Sequence, residues 1–202
     1  ILASAGMDGT IGIFDISTLQ DEDFDYAAYT SSKTEQPPLV KHTVQLSGAD
    51  TDIEWIQWHP KGNALLSAFA DGTCWLWNVK KMDCMSVLAG HSDSITCGGF
   101  SADGKQIITG SVDSTVRVWH PIHGHATHTF EGDLFSHKDP IISMHIRQDD
   151  SKMVYVGNAA GEMITLGIFD SPRILNKNKE HKESIESIDY STFMPNIVVT
   201  GS

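Results

Sequence analysis

His91, Thr109 and Asp113 are the side-chain types from which enzymes build a nucleophilic triad. In such a triad the imidazole takes the proton of the hydroxyl group, and the carboxylate orients the imidazole. Trp119 follows in the same stretch of sequence. An active site is a single constellation, so these residues are candidates for catalysis only if the set occurs once.

The same residue types occur a second time, one repeat earlier. Ser67, Asp71 and Trp77 follow each other in the same order, as hydroxyl, carboxylate and indole. Side chains that recur at a fixed spacing indicate a repeated structural unit. We therefore expect these residues to be structural and the protein not to be an enzyme.

The repeated unit is about 40–45 residues long and contains four short apolar segments. In one copy, Gly90 and His91 precede a segment that ends at Phe100, and a Ser-Ala-Asp-Gly turn separates it from residues 106–111. This pattern predicts an all-β fold, a β-propeller of WD repeats, with about four blade periods present. Such rings usually close with seven or eight blades, so we expect residues 1–202 to be a partial propeller from a longer, monomeric chain.

His91, Thr109, Asp113 and Trp119 resemble the hydrogen-bonded tetrad of WD repeats. The resemblance implies that the imidazole joins the carboxylate to the hydroxyl group and that the indole N–H ends the chain. A buried polar network stabilises a fold when every member has a partner. Other copies depart from the pattern: Ala49 stands where the histidine of the Ser67, Asp71 and Trp77 set would be, and Ala160 and Leu166 replace the aspartate and tryptophan that would accompany His137.

The charge of the chain limits its partners. The 202 residues include 14 lysines and arginines against 26 aspartates and glutamates, a formal net charge of −12. Basic surfaces bind nucleic acids and anionic membranes, so we expect neither as a direct partner. Three cysteines without C-x-x-C spacing indicate a reducing compartment, and we expect the cytoplasm, with the nucleus as a further location.

An acidic segment from about residue 17 to 42 interrupts the first copy of the repeat. It contains Asp21, Glu22, Asp23 and Asp25, followed by a pair of prolines. A loop of this length without structure of its own is either functional or disordered, and the composition favours disorder.

Four histidines, His120, His123, His125 and His128, lie close together in sequence and are potential zinc ligands. No cysteine or carboxylate lies among residues 120–128 to complete a site, so we expect no bound metal. The chain has no P-loop, G-x-G-x-x-G or H-E-x-x-H motif, and no cofactor is expected.

In WD-repeat propellers one face, called the top face, carries the Gly-His loops and the turn aspartates. By resemblance, partner contacts come from the third and fifth residues after the histidine position and from the residue before the turn aspartate. At these positions the chain has three carboxylates, Asp52, Glu54 and Glu186, and the uncharged Met7, Thr96 and Ile142. A ring of carboxylates attracts lysine and arginine side chains. The alternative is that they are solvated loop charges, although Glu54 interrupts an apolar strand, where an ionised group needs a partner.

Tryptophan-rich runs at residues 52–60 and 70–77 point to a particular family. The sequences Asp-Ile-Glu-Trp-Ile-Gln-Trp-His-Pro and Ala-Asp-Gly-Thr-Cys-Trp-Leu-Trp resemble the family of angio-associated migratory cell protein. Its fungal member is a ribosome-assembly chaperone dedicated to the large-subunit ribosomal protein L-ten. The resemblance implies a chaperone that captures the basic N-terminal segment of this newly made protein and supports its assembly into the large ribosomal subunit.

The resemblance also implies which residues bind this client. Asp52, Glu54 and Glu186 would pair with its basic side chains, and Met7, Thr96 and Ile142 would form an uncharged rim. Two alternatives remain open. One is a scaffold or substrate adaptor in a signalling or ubiquitin-ligase complex, and the other is a reader of basic histone-like peptides.

Overall fold

Regular secondary structure in the described part of the chain consists of β-strands. The structure is a computed structural model that describes residues 1–15, 41–47, 50–132, 138–149, 152–168, 170–179, 181–191 and 197–202. Short runs of β-branched and aromatic residues form strands here because turns rich in Gly, Asp and Ser separate them. Within these ranges there is no helix long and apolar enough to cross a membrane.

The strands form five antiparallel sheets, which we call blades 1 to 5. Blade 1 comprises β1 (Leu2–Ala5), β2 (Thr10–Asp15) and β3 (Lys41–Ser47). Blade 2 comprises β4 (Ile53–Trp58), β5 (Ala64–Phe69), β6 (Thr73–Asn78) and β7 (Asp83–Ala89). Blade 3 comprises β8 (Cys97–Phe100), β9 (Ile107–Gly110), β10 (Val116–Trp119) and β11 (Ala126–Phe130).

The last two blades follow the same order. Blade 4 comprises β12 (Ile141–Ile146), β13 (Met153–Asn158), β14 (Glu162–Gly167) and β15 (Arg173–Lys179). Blade 5 comprises β16 (Ser187–Tyr190) and β17 (Val198–Gly201). In every blade the strands pair with their neighbours in chain order, as hairpins.

The first strands of successive blades lie side by side and place the blades around a common axis. β4 contacts β8, β8 contacts β12 and β12 contacts β16, while β1 contacts β4. Apolar side chains fill the space between neighbouring sheets, with one cluster joining blades 2 and 3 and another joining blades 3 and 4. This arrangement is part of a β-propeller and confirms the predicted fold class.

The 17–42 segment lies between the third and fourth strands of the repeat, β2 and β3. β3 begins at Lys41, so the last two residues of the segment belong to this strand. Residues 16–40 lie outside the described residues, as do Ala49 and His137. The expectation of disorder in the segment therefore stays a prediction.

Two kinds of bulge recur at equivalent positions. Between the third and fourth strands the register shifts at the position of the tetrad tryptophan, and the residues concerned are Phe14, Trp77, Trp119 and Leu166. Between the first and second strands of blades 2 and 4 the register shifts around Glu54 and Ile142. A bulge leaves one residue unpaired and redirects its side chain, so the second kind bears directly on the predicted binding positions.

Candidate functional site

The structure brings together His91, Thr109, Asp113 and Trp119 in blade 3. His91 Nδ1 lies 2.8 Å from Asp113 Oδ2, and His91 Nε2 lies 2.8 Å from Thr109 Oγ1. The Trp119 indole N–H donates a hydrogen bond of 2.8 Å to the same hydroxyl oxygen. The four side chains therefore form one chain of hydrogen bonds that ties two strands, the turn between them and the Gly-His loop together, and a hydroxyl group engaged in this way is not an exposed nucleophile.

Asp113 holds the outer end of this network. Its carboxylate accepts hydrogen bonds from the Thr115 hydroxyl and from the backbone N–H groups of Ser92 and Thr115. Burial raises the pKa of this carboxyl, but hydrogen bonds from His91, Thr115 and Ser92 outweigh burial and hold the pKa well below its usual range. The carboxylate therefore stays ionised and the loop stays attached to the turn.

In blade 2 the structure brings together only part of the corresponding set. The Trp77 indole N–H donates a hydrogen bond of 2.9 Å to Ser67 Oγ. Asp71 is exposed and is not part of that pair, because its carboxylate accepts hydrogen bonds from the Thr73 hydroxyl and backbone N–H. Asp8 binds Thr10 in the same way in blade 1, so the aspartate closes its turn even where the network is incomplete.

Blade 5 has a second histidine–threonine pair that the sequence reasoning did not single out. His181 Nε2 lies 2.6 Å from Thr200 Oγ1, and Nδ1 lies 2.9 Å from Ser202 Oγ. The sequence contained a signal for this pair, because the spacing from His181 to Thr200 differs by only one residue from the spacing from His91 to Thr109. In blade 4, buried Asn158 instead binds the backbone N–H groups of Ala160 and Glu162.

The tryptophan-rich run at residues 52–60 connects blade 2 to blade 3 through three side chains that alternate along the chain. The Trp55 indole N–H donates to the Ile95 carbonyl oxygen at 3.0 Å. Gln57 Oε1 accepts a hydrogen bond of 3.0 Å from the Phe100 N–H. His59 Nε2 lies 3.2 Å from the Gly104 carbonyl oxygen. The residues that make this run unusual are therefore contacts between blades.

The top face consists of the turns between second and third strands and of the loops that lead into the first strands. Its described parts include residues 6–9, 50–52, 70–72, 90–96, 111–115, 138–140, 159–161 and 181–186. Asp52, Glu54 and Glu186 are all exposed on this face. None of these three carboxylates has an ion-pair partner among the described residues.

Glu54 is the unpaired residue of the bulge between β4 and β5. Ile53 pairs with Phe69 and Trp55 pairs with Ala68, so Glu54 has no partner residue across the ladder. The bulge explains how a carboxylate occurs in an apolar strand, because its side chain is exposed. The Ser94 hydroxyl donates a hydrogen bond of 3.1 Å to Glu54 Oε1 and holds the carboxylate beside the loop of blade 3.

The other predicted binding residues differ in how freely they face solvent. Met7 is exposed, and Ile142 is the half-buried bulge residue of β12. Thr96 is half-buried, and its hydroxyl donates a hydrogen bond of 2.7 Å to the Ile141 carbonyl oxygen. Glu186 accepts a hydrogen bond from the Ser184 hydroxyl. Thr96 therefore has a structural contact with blade 4 in addition to its place on the top face.

The four clustered histidines do not form a metal site. The rings of His120 and His123 lie 4.3 Å apart between centroids, and those of His123 and His125 lie 5.8 Å apart. His128 packs against Phe130 instead. Among the described residues no group of three or more histidine, cysteine or carboxylate side chains is arranged to hold a metal ion.

Two stretches of the chain match the family described as "WD domain, G-beta repeat", at residues 40–78 and 82–120. They cover β3 to β6 and β7 to β10, and the second stretch includes all four residues of the tetrad. Together with the fold, this match defines the class: a partial β-propeller with WD repeats. Proteins of this class are generally binding scaffolds for other proteins and not enzymes.

Particular relatives can be named within this class. The chain is 29% identical over 159 residues to "Angio-associated migratory cell protein" of Homo sapiens, which is 71% of this chain and 36% of that protein. It is 32% identical over 90 residues to "Cell division control protein 4" of Saccharomyces cerevisiae, 41% of this chain and 11% of that protein. It is 36% identical over 67 residues to "Guanine nucleotide-binding protein subunit beta" of Lymnaea stagnalis, 33% of this chain and 20% of that protein. The chain thus spans about a third of the length of the angio-associated migratory cell proteins that it matches.

Proposed function

We propose that the top face binds a basic peptide segment of a partner protein. The observation that carries this proposal is the set of exposed carboxylates Asp52, Glu54 and Glu186, which have no ion-pair partner among the described residues. Lysine and arginine side chains of a partner would supply the missing counter-charges through charge-assisted hydrogen bonds. Lys138 and Lys182 are exposed on the same face, so the attraction is strongest near blade 2, where Asp52 and Glu54 lie together.

The partner that fits best is the basic N-terminal segment of the large-subunit ribosomal protein L-ten, captured as it is made. The support is the resemblance of residues 52–60 and 70–77 to the angio-associated migratory cell protein family and the acidic chemistry of the top face. A highly basic segment binds RNA and other polyanions promiscuously, so a carboxylate-lined surface would mask its charge until assembly. We place this role in the cytoplasm, with the nucleus as a further site of action.

Glu54→Lys tests the top-face proposal directly. Reversing one exposed charge removes an attraction and adds a repulsion, each worth about 0.5–1 kcal/mol, so we expect the Kd for the basic N-terminal peptide of L-ten to rise about tenfold. Asp170→Lys makes the same charge change on an exposed turn of the opposite face and serves as the matched control. Binding is measured by fluorescence anisotropy of a labelled peptide at low and at moderate salt.

Salt dependence and client identity complete the test. Because binding through exposed charges weakens as salt rises, we expect the Kd of the unchanged protein to be higher at moderate salt than at low salt. Asp170→Lys should have the same Kd as the unchanged protein at each salt concentration. Equal losses in Glu54→Lys and Asp170→Lys would show that only the net charge matters and would refute a top-face site. Capture of signalling proteins in place of a ribosomal protein from cytosolic extract would favour the scaffold alternative.

A further inference from the structure

The bottom face of the propeller carries a groove that the proposed top-face function does not use. We define this face by the turns at residues 59–63, 79–82, 101–106 and 120–125, which join the opposite ends of the strands in blades 2 and 3. The groove lies between these two blades and has a volume of about 400 Å³. Its lining includes His59, Leu76, Met85, Phe100, Lys105 and Ile122.

The groove exposes apolar side chains within complete blades. Met85 is 49% exposed and Ile122 is 69% exposed, on β7 and on the turn between β10 and β11. Blades 2 and 3 each have four paired strands, so this exposure does not come from a missing strand in either sheet. Contiguous apolar surface rimmed by polar groups is typical of a binding site. The volume falls in the range of ligand pockets.

The charges around the groove specify the kind of partner. Lys105, His59 and His120 line it, and no aspartate or glutamate is among its lining residues. Lys61 is exposed on the turn that contributes His59. Carboxylates occur nearby on the same face, at Asp83 on β7, which is exposed, and at Asp103 on the next turn.

Asp103 is the carboxylate closest in sequence to Lys105, and it is engaged in hydrogen bonds within its own turn. Its carboxylate accepts hydrogen bonds from the Ser101 hydroxyl, at 2.6 Å, and from the Lys105 backbone N–H, at 3.0 Å. The Ser101 hydroxyl and the Lys105 N–H hold the pKa of Asp103 below its usual range, against the effect of burial, and the positive charges of Lys105 and Lys152 also lower it. The Lys105 ammonium group has no ion-pair partner within the described residues. The cationic rim is therefore available to a partner.

We propose that the bottom groove binds an acidic peptide segment of a second partner protein. An apolar side chain of that peptide packs between Met85 and Ile122, and its flanking carboxylates pair with Lys105 and Lys61. The two faces of the same blades then select opposite charges, so a basic client on the top face and an acidic partner on the bottom face bind at the same time. Apolar anchors with complementary charges around them are the usual basis of peptide affinity and specificity.

The test uses a fluorescent peptide of aspartate and glutamate residues around a central Leu-Phe pair. Two matched peptides replace the Leu-Phe pair by Ser-Ser or every acid by the corresponding uncharged amide, asparagine or glutamine. We expect the acidic apolar peptide to bind at least about tenfold more tightly than the Ser-Ser peptide, since removal of two apolar anchors costs more than one factor of ten. We expect it to bind about tenfold more tightly than the amide peptide, since two exposed ion pairs are each worth about 0.5–1 kcal/mol. Anisotropy titrations measure the three Kd values on the purified protein.

Two protein variants locate the site. Ile122→Glu places a carboxylate at an exposed position, so we expect the fold to persist and the Kd for the acidic apolar peptide to rise about tenfold. Leu175→Glu, at a 39% exposed position on the outer strand of blade 4, is the matched control and should leave the Kd unchanged. Circular dichroism spectra of both variants verify the fold.

Three outcomes would overturn the proposal. The first is equal binding of the acidic apolar peptide and the amide peptide, and the second is an equal effect of Ile122→Glu and Leu175→Glu. The third is concentration-dependent dimerisation that Ile122→Glu abolishes while no peptide binds, which would assign the groove to a second copy of the chain. Analytical ultracentrifugation distinguishes this last result from peptide binding.

Discussion

Replacing Thr109 by valine tests whether the tetrad of blade 3 stabilises the fold. The two side chains have nearly the same size, so the main change is loss of the hydroxyl group. That oxygen accepts the Trp119 indole N–H at 2.8 Å and lies 2.8 Å from His91 Nε2. Thr109, His91 and Trp119 are all buried, so the groups left behind are poorly placed to bind solvent instead.

The expected loss follows from counting the groups left without a partner. Thr109→Val strands one imidazole nitrogen and one indole N–H in the interior. An unsatisfied buried polar group costs about 1–3 kcal/mol. Allowing for some relaxation, we expect the free energy of unfolding to fall by about 2–4 kcal/mol, a large part of the roughly 5–15 kcal/mol of a typical domain.

Urea unfolding followed by tryptophan fluorescence measures this loss, and Thr127→Val is the matched control. Thr127 is exposed on β11 of the same blade, and its hydroxyl makes a single hydrogen bond of 3.0 Å, to the Val118 carbonyl oxygen. Solvent can replace that bond, so we expect a change within about 0.5 kcal/mol. A loss below about 1 kcal/mol for Thr109→Val, at an unchanged dependence on urea, would refute the stabilising role of the tetrad.

Three further predictions concern single groups. Hydrogen bonds hold the pKa of Asp113 below its usual value, so its contribution to stability is complete above about pH 4 and is lost as the pH falls toward the folded-state pKa. Asp113→Asn should therefore reduce the slope of the free energy of unfolding against pH on the acid side, and an unchanged slope would contradict this. Ser114 has a φ of 65°, and Gly72, at the equivalent turn position of blade 2, has a φ of 82°. Glycine adopts this conformation without strain, so Ser114→Gly should raise the free energy of unfolding in urea by about 0.5–1 kcal/mol, and a loss would show that the serine side chain has a role of its own. Cys74 is fully buried and burial raises the pKa of its thiol well above the usual range, whereas Cys84 is half-buried, so iodoacetamide should modify Cys84 before Cys74 in mass spectra, and earlier modification of Cys74 would contradict its buried position.

The tetrad of blade 3 is predictable from sequence because a polar network leaves its residue types at fixed positions. His91, Thr109, Asp113 and Trp119 each need a particular partner, and the spacing follows from the lengths of the strands that carry them. The same logic extends to His181 and Thr200, one residue further apart. Repeated architecture makes such inferences possible, since each copy predicts the geometry of the others.

Bulges are the part of the site that the sequence pattern does not reveal. The expectation for Glu54 was an ionised group within an apolar strand, where it would need a partner. In the structure the bulge between Ile53 and Trp55 exposes this side chain, and Ser94 supplies a hydrogen bond from the next blade. Residue types alone carry little information on a bulge, because the extra residue is fixed by the register with which the strand pairs with its neighbour. Asp71 illustrates the same limit, since it binds Thr73 and does not join Ser67 and Trp77.

The net charge of −12 conceals a division between the two faces that the hairpin order of the strands produces. In a blade of four antiparallel strands, successive turns point alternately to the top and to the bottom, so the position of a turn in the repeat decides which face its charges occupy. In blades 2 and 3 the exposed lysines of the turns, Lys61, Lys80, Lys81 and Lys105, all fall in bottom turns. Asp52, Asp71 and Asp93 fall in top loops. When each charged residue is assigned to its turn, the overall excess of acid resolves into a top face that attracts basic partners and a bottom face that attracts acidic ones. A basic client on one face therefore does not compete with an acidic partner on the other.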